Sequence, residues 1–550
     1  MGINLFGTDG IRGKINVATV DEEDAVSGLI ENREISPPIL RLIGESLGRS
    51  VETASREKLR VVIGWDDRPA NPELVKSLTI GLNIADFEVT HIGLCATPTL
   101  HYATLFFDAE FGCMITASHN PVDDSGVKIF TKYGYKTTPE FELELSHNAI
   151  SLSQEEREID QIDGKKLSEP SMSFESSQWC IHNHPKWLSS RYATLTEMIQ
   201  SNLADSKNIN SPLLVDSSKG TGQFWLSAWL SSNGIQATEV SHQAAALNEN
   251  CGAGDLSPTQ EWTFEEAKQS AHILIKQLPS CEPGTLVAAA LDGDGDRCLL
   301  IEATKTGFKV IDGDRIADTF VNCVTNSGFN WHLAASIESD LSLTTNLDRY
   351  PKRVRVSETA VGDRWLSFKL SENGNNQFIV GNSFPQVIGV EDSGHLVMPS
   401  PHPSLSENWS LVGDGAMTLV AYLLSLSRFE PSTAMKRGWK QRQSVKNVDR
   451  AKWDGENQLS NMVEKSLRKK LSEFGDVSLW TRTTVAGENN LMLINCSFSG
   501  SKLSVGVRNS GTQAKISVSA RLEYGGTSNG VQDAIDTVCD LLAKHMINHL

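Results

Sequence analysis

No two of the nine cysteines stand as a Cys-x-x-Cys pair, and an odd number cannot close into a complete disulfide framework. The pattern predicts reduced thiols in a cytoplasmic protein, most of them packing residues. Positive charge is also in short supply. Against 68 acidic residues the chain sets 50 Lys and Arg, a net charge of −18. No basic field is present to draw in a phosphate backbone, which argues against a general nucleic-acid binder but not against a small anionic substrate held by a local cluster. No run approaches the roughly 18 apolar residues of a membrane span. The opening MGINLFGTDGIRG lacks the basic and apolar regions of a signal peptide. It begins Met-Gly, yet Phe6 stands where myristoylation needs Ser or Thr. No low-complexity tract is found. The expectation is a soluble cytoplasmic protein with no membrane or nucleic-acid partner.

What is present is globular: 39% apolar and 21% charged residues over 550 positions. At roughly 100–200 residues per domain, this length suggests three to five domains. Residues 37–52 carry helical periodicity after two prolines, RVVIGWDDRP reads as a strand spilling into a charged turn, and NPELVKSLTIGLNIADF is helical again. Such alternation predicts a parallel or mixed sheet covered by helices. From about 136 to 186 the chain turns polar and reads as helix plus linker. A second α/β unit runs from PLLVDSS through a helix around 264–277 to TLVAAALDGDGDRCLLIE. A third contains RIADTFVNCVTN and HLAASIES, then VIGVEDSGHLV, and closes on WSLVGDGAMTLVAYLLSLS, read as helix. The charged stretch after Arg428 reads as a hinge and lead-in to a smaller α+β unit. The predicted fold class is α/β: three similar α/β domains with mixed sheets plus a C-terminal α+β domain. The expected domains are 1–165, 186–306, 307–430 and 440–550.

Five short stretches carry chemistry. In residues 113–130 a buried apolar run gives way to TASHNP, closed by Pro121, which ends the strand in a shaped loop. Open α/β sheets place chemistry at such strand ends, though the composition also suits an ordinary turn. Asp292, Asp294 and Asp296 alternate with glycines. Three crowded carboxylates suit a hard divalent cation bound through oxygen better than an acidic hairpin. An EF-hand is excluded, because Arg297 and Ala303 stand where its Gly and Glu belong. Glu391-Asp392-Ser393-Gly394-His395 follows an apolar strand. Its Glu and Ser suit vicinal sugar hydroxyls, and His395 is either a proton carrier or a solvated loop residue. Arg508 to Gln513 combines a guanidinium, hydroxyls and a glycine, the makeup of a phosphate cradle and also of a polar β-turn. Gly7 to Gly13, with Arg12, is a similar loop, anion-facing or structural.

Taken in order, FGTDGIRG, TASHNP, DGDGDR, EDSGH and RNSGT resemble the alpha-D-phosphohexomutases (phosphoglucomutase, phosphomannomutase and phosphoglucosamine mutase), and they span nearly the whole chain. The opening motif, residues 247–255 and residues 310–316 look most like the phosphoglucosamine mutase branch. The resemblance implies three α/β domains and a mobile fourth one lining a single cleft. Ser118 matches the phosphoserine. Asp292, Asp294 and Asp296 match the Mg²⁺ ligands, with a phosphoserine oxygen completing the set. Lys128 and His395 match the general acid/base pair, with Arg12 and Arg297 in the same active-site set. Glu391 and Ser393 match the sugar contacts, and Arg508, Ser510, Gly511 and Thr512 the loop holding the non-transferring phosphate. The implied activity is an isomerase interconverting hexosamine 6- and 1-phosphates through a bisphosphate. The alternatives are glucose or mannose phosphates as substrates, or a non-catalytic sugar-phosphate binder. The expected partner is a small sugar phosphate, and the expected state a monomer or homodimer.

The chain departs from the family in places. Val390 stands where a second glycine is usual and Asp392 where Gln or Met is common. Gln513-Ala514 replace Glu-Pro, and Ser517 replaces Arg. Extra material lies near 150–190, 370–385, 399–410 and 450–480.

Overall fold

The computed structural model describes residues 3–51, 58–157, 164–371, 376–428, 433–510 and 514–547. Its described residues form four sheets, each made from a separate stretch of chain. The first has seven strands in the order Glu34–Ile35, Ile11–Ile15, Asp124–Thr131, Phe111–Ile115, Arg60–Trp65, Glu88–Leu94, Met172–Ser173. Its central strands are parallel, and Asp124–Thr131 runs antiparallel to both neighbours. Phe111–Ile115, in the middle, is buried throughout and delivers the chain into TASHNP. Two helices over this sheet, Pro37–Arg49 and Asn71–Ile84, cross where glycine meets backbone: a Cβ on Gly81 would stand 2.0 Å from the Arg41 carbonyl oxygen.

The second sheet, of six strands, is mixed. Leu286–Leu291 pairs parallel with Ile209–Asp216 on one side and antiparallel with Cys298–Ala303 on the other. The tight connection of that hairpin is the DGDGDR motif. The third sheet, also six-stranded, holds Trp331–Ser336 and Val387–Val390 as parallel neighbours. Antiparallel Leu396–Pro401 follows directly after the EDSGH turn. One apolar core, running from Leu188 through Val215, Cys298 and Phe320 to Leu424, joins these two sheets. The fourth sheet is antiparallel, five-stranded, backed by the helices Gln458–Ser472 and Val531–Met546, and has its own core.

Several local readings change. The segment WSLVGDGAMTLVAYLLSLS is not one helix: Asn408–Gly413 is a strand, and the helix Gly415–Ser425 starts only where the Asp414 carboxylate caps it, accepting from the Met417 N–H at 3.1 Å. The helix expected over 264–277 stops at Gln269, because Ser270 turns extended and the His272 ring bonds the Gly252 carbonyl and the Leu274 N–H. Residues 179–186, the end of the stretch read as helix plus linker, open the 21-residue helix Trp179–Ile199. Part of the charged lead-in, Trp439–Lys446, is an edge strand paired with Lys515–Leu522. Of the nine cysteines eight are buried and Cys281 is half-buried. No described helix is long and apolar enough to cross a membrane.

Candidate active site

Ser118 is 1% exposed and sits at the end of Phe111–Ile115 with φ at +55°, a left-handed conformation that a non-glycine residue keeps only when its surroundings hold it. They do. Its N–H donates to Thr116 Oγ1 at 2.8 Å, and its carbonyl accepts from Arg68 Nη2 at 2.8 Å and from Asn248 Nδ2 at 2.7 Å. Arg68, fully buried, also donates to the carbonyls of Asn120, Pro121 and Asp124, and its Nε pairs with Asp66 at 3.0 Å. The loop is therefore clamped from within its own unit and, through Asn248, from the next. The Ser118 hydroxyl is left aimed at Asp292 Oδ2, 2.9 Å away.

Asp292, Asp294 and Asp296 are buried together, with one oxygen of each within 4.8 Å of the others. The Asp292 Oδ1 atom accepts the N–H groups of Asp296 and Arg297, each at 3.1 Å, so the hairpin folds around its own first carboxylate. Lys128 donates to Asp294 Oδ2 at 2.6 Å and to Asp296 Oδ2 at 2.7 Å, with Asp9 Oδ2 at 3.3 Å. Burial opposes a charge on Lys128, but these carboxylates outweigh it and hold its pKa well above the usual lysine range, so it stands as an ammonium. The first carboxylate goes the other way: burial, then its neighbours Asp296 and Asp294, push Asp292 well above the usual range. Asp294 Oδ1 and Asp296 Oδ1 are buried and accept no hydrogen bond. Unsatisfied hard oxygens converging at one point fit a divalent cation such as Mg²⁺.

His395 brings the Nε2 edge of its ring against Gly413, where a Cβ would stand 1.9 Å from Nε2. Its Nδ1 lies 3.9 Å from Asp296 Oδ1 and its Nε2 3.4 Å from Asp363 Oδ2. Asp363 in turn takes Lys136 Nζ at 2.8 Å, and the same ammonium reaches Asp9 Oδ1 at 2.6 Å. Arg12 Nη2 closes the ring on Asp9 at 2.5 Å. Glu391 is buried, accepts from the Gly362 N–H at 2.7 Å, and burial raises its pKa. Arg297 lies 4.0 Å from both Asp292 and Asp296.

A cavity of about 410 Å³ opens over these groups, lined among others by Arg12, His119, Arg297, Asp363, Glu391, His395 and Ser510. The structure thus brings together Ser118, the three aspartates, Lys128, His395, Arg12, Arg297, Glu391 and Ser510. Ser393 is half-buried in the turn beside Glu391 and is not among the lining residues. Arg508 is not among them either: its Nη1 donates to Glu488 at 2.8 Å and its Nη2 to Glu338 at 3.4 Å. Gly511 and Thr512 lie outside the described residues. Sequence reasoning missed Arg68, Asn248, Asp9, Lys136, Asp363 and Thr97, the last of which donates to Asp294 Oδ2 at 2.5 Å. Only the Asp-Asp-Arg run directly after strand Arg60–Trp65 offered a signal for Arg68, since charge packed against a strand end must find a partner.

Comparison with known proteins supports the reading of the motifs. Residues 4–156 match the family described as phosphoglucomutase/phosphomannomutase, alpha/beta/alpha domain I. A phosphoglucosamine mutase of Mycobacterium sp. (strain KMS) is 26% identical over 433 residues, 78% of this chain and 80% of the relative. A phosphoglucomutase/phosphomannomutase family protein of Burkholderia thailandensis shares the fold with a TM-score of 0.60 at 18% identity, covering 99% of each chain. An Aspergillus fumigatus N-acetylphosphoglucosamine mutase, solved with GlcNAc-6P and magnesium, aligns with a TM-score of 0.54 at 14% identity over 92% of this chain and 99% of that one. The chain is similar to the alpha-D-phosphohexomutases over most of its length, and residues 4–156 match the model of their phosphoglucomutase/phosphomannomutase domain I.

Proposed function

We propose that this protein is an isomerase of the phosphohexomutase type, interconverting hexosamine 6-phosphate and 1-phosphate with glucosamine phosphate preferred. The observation that carries the reading is the Ser118 hydroxyl held at 2.9 Å from Asp292 at the head of a buried three-carboxylate cluster. Names among the relatives favour the amino sugar over glucose or mannose. The domains 1–165, 186–306, 307–430 and 440–550 are the proposed walls of the cleft.

Phosphoryl transfer asks for positioning and charge neutralisation more than for covalent chemistry. A phosphoryl group on Ser118, carrying about −1.5 to −2 charge, faces three carboxylates and needs cations around it. Lys128 and Arg297 supply two. Asp292, Asp294 and Asp296, with a phosphoserine oxygen, would hold Mg²⁺, which when bound neutralises charge on the phosphoryl oxygens. In the outward step the phosphorus–oxygen bond to Ser118 breaks as a sugar hydroxyl bonds to phosphorus. His395, a residue of the cavity lining, takes the hydroxyl proton, and the Lys128 ammonium gives a proton to the departing Ser118 oxygen. The resulting bisphosphate reverses in the cavity and returns its other phosphoryl group to Ser118. Glu391, fixed by the Gly362 N–H, grips sugar hydroxyls in both orientations.

The test assays glucosamine, glucose and mannose 6-phosphates side by side, with intact-mass measurement before and after phosphatase. One phosphoryl group on the parent, none on Ser118→Ala, loss of turnover in that variant and on chelation, and recovery with Mg²⁺ are expected. Full activity in Ser118→Ala or after thorough chelation would falsify the mechanism.

A further inference from the structure

Two loops from different units meet in the site: TASHNP, which carries Ser118, and DGDGDR, which carries the three aspartates. The 2.9 Å approach of the Ser118 hydroxyl to Asp292 lasts only if the gap between these loops is held. Asn248 touches both. Its side chain donates from Nδ2 to the Ser118 carbonyl at 2.7 Å and to the Asn120 carbonyl at 3.0 Å. The same amide abuts Gly293, between Asp292 and Asp294. A Cβ on that glycine would stand 2.6 Å from Asn248 Oδ1 and 2.7 Å from Nδ2.

The setting of this amide follows from its partners. Carbonyls only accept, so the NH2 group faces them and gives both its hydrogens to the Ser118 loop. The amide oxygen accepts from the Ser218 hydroxyl at 2.7 Å. Backbone ties the same residues together: the Asn248 N–H donates to the Ser218 carbonyl at 3.2 Å, and the Ser218 N–H to Asp216 Oδ1 at 2.8 Å. Asp216 Oδ2 takes the Gly252 N–H at 2.7 Å, which closes residues 247–255 on the end of strand Ile209–Asp216. Asn248 and Ser218 both hold left-handed backbone, φ +61° and +55°, as Ser118 does, and such residues keep that conformation only where neighbours fix it. Strand Ile209–Asp216 is the parallel neighbour of Leu286–Leu291, the strand that runs into Asp292. Asn248 is thus referenced to the sheet that delivers the aspartates, and from there it reaches the serine loop. Arg68 grips the Ser118 and Asn120 carbonyls too, but from the first unit, so it shapes the loop without setting its distance from the aspartates.

We propose that Asn248 is a positioning residue that sets the distance between Ser118 and the aspartate cluster, holding the serine loop by its two donors while resting against Gly293. The proposal rests on the mutase reading for the step that this spacing serves, not for the coupling of the two loops. An in-line transfer depends on such a gap, and a misplacement of about 1 Å costs roughly a hundredfold in rate. Asn248 is not among the residues lining the cavity, so a bound sugar phosphate has no contact with it to lose. Its removal is therefore a matter for kcat and not for KM.

The experiment compares the full-length protein with Asn248→Leu and Ser218→Ala. Leucine keeps the volume of the side chain and removes its donors, whereas Ser218→Ala keeps the donors and frees the amide to turn. Three quantities are read: kcat and KM with the sugar phosphate, the urea midpoint, and deuterium uptake by the amides of residues 116–121. In Asn248→Leu, kcat is expected to fall about a hundredfold with KM near the parental value. Exchange at 116–121 is expected to quicken while strand Phe111–Ile115 keeps its parental rate. Ser218→Ala is expected to show the same pattern at smaller size, and it decides the matter where Asn248→Leu does not fold. Parental kcat in a folded Asn248→Leu overturns the proposal, as does a raised KM with kcat unchanged. Faster exchange across the whole first sheet also overturns it, since Asn248 would then serve the fold alone. A parent that turns over no hexose or hexosamine phosphate defeats the mutase reading instead. The exchange arm then still decides: quickening confined to 116–121 supports the coupling of the loops, and unchanged exchange refutes it.

Discussion

Arg68 gathers the carbonyls of Ser118, Asn120, Pro121 and Asp124 onto one guanidinium, and its acidic partner among the described residues is Asp66. Both are buried, so removing the cation leaves a carboxylate stranded in the interior. Arg68→Met is expected to destabilise the protein by about 3–5 kcal/mol and to lower kcat, because the strained Ser118 backbone loses its clamp. Adding Asp66→Asn in the same chain is expected to recover part of the stability but not the turnover, measured by urea unfolding beside the assay. Recovery of both would show that the clamp does not position Ser118. The contrast with the motif residues is instructive. Ser118 and the three aspartates were legible because their chemistry is written in contiguous residues. Arg68, Asn248, Asp9 and Lys136 act on groups dozens of positions away, and nothing in their local spacing announces the partner. Arg508 shows the reverse limit. Its motif is local, but the carboxylates that occupy it come from 338 and 488.

Helix Thr97–Phe106 shows how an element is pinned to its distant neighbour. Its His101 is wholly buried, with Nδ1 on the Gly134 carbonyl at 2.8 Å and Nε2 on the Ser400 hydroxyl at 2.9 Å, which joins the first unit to the third. A carbonyl only accepts, so Nδ1 carries the proton and Nε2 accepts from serine. Burial, opposed by the Gly134 carbonyl, lowers its pKa from 6.5 to about 3. The unfolded chain therefore binds a proton that the folded one refuses. Stability is full above pH 6.5 and falls as pH drops toward 3, by about 1.4 kcal/mol for each pH unit between. Urea midpoints from pH 7 to 4.5 are expected to fall more steeply for the parent than for His101→Asn, and parallel curves would contradict the assignment. Elements such as Pro37–Arg49, Asn71–Ile84 and Gly313–Asn326 were readable from periodicity and from Pro or Asp at their starts. The strand Asn408–Gly413 was not, because a strand buried from Trp409 onward and running into an apolar helix has no change of period to mark the join. Only the Gly-Asp-Gly break marks it.

At the scale of the molecule, the fourth unit rests on the third through charge. Lys440 reaches Asp392 at 2.8 Å and Asp314 at 3.3 Å, Arg437 holds Asp312 at 2.5 Å, and Arg442 holds Glu338 at 2.6 Å. This accounts for Asp392 in the EDSGH turn: its carboxylate is turned to Lys440, a pairing that no reading of either segment alone contains. The order of four sheets followed from the alternation of strand and helix patterns, whereas which units share a core did not, since that depends on faces meeting at long range. The distribution of thiols adds a last consequence. Cys298 and Cys323 lie in the core common to the second and third units, while Cys496 and Cys539 lie in the separate core of the fourth. Burial raises the pKa of all four, so each is silent to a thiol reagent until its surroundings open. The chain therefore carries its own clocks of opening. Under mild denaturant, mass-resolved alkylation is expected to mark Cys281 first, then Cys496 and Cys539 together, and Cys298 with Cys323 on a common, different schedule. Simultaneous marking of all four would mean that the two cores come apart as one.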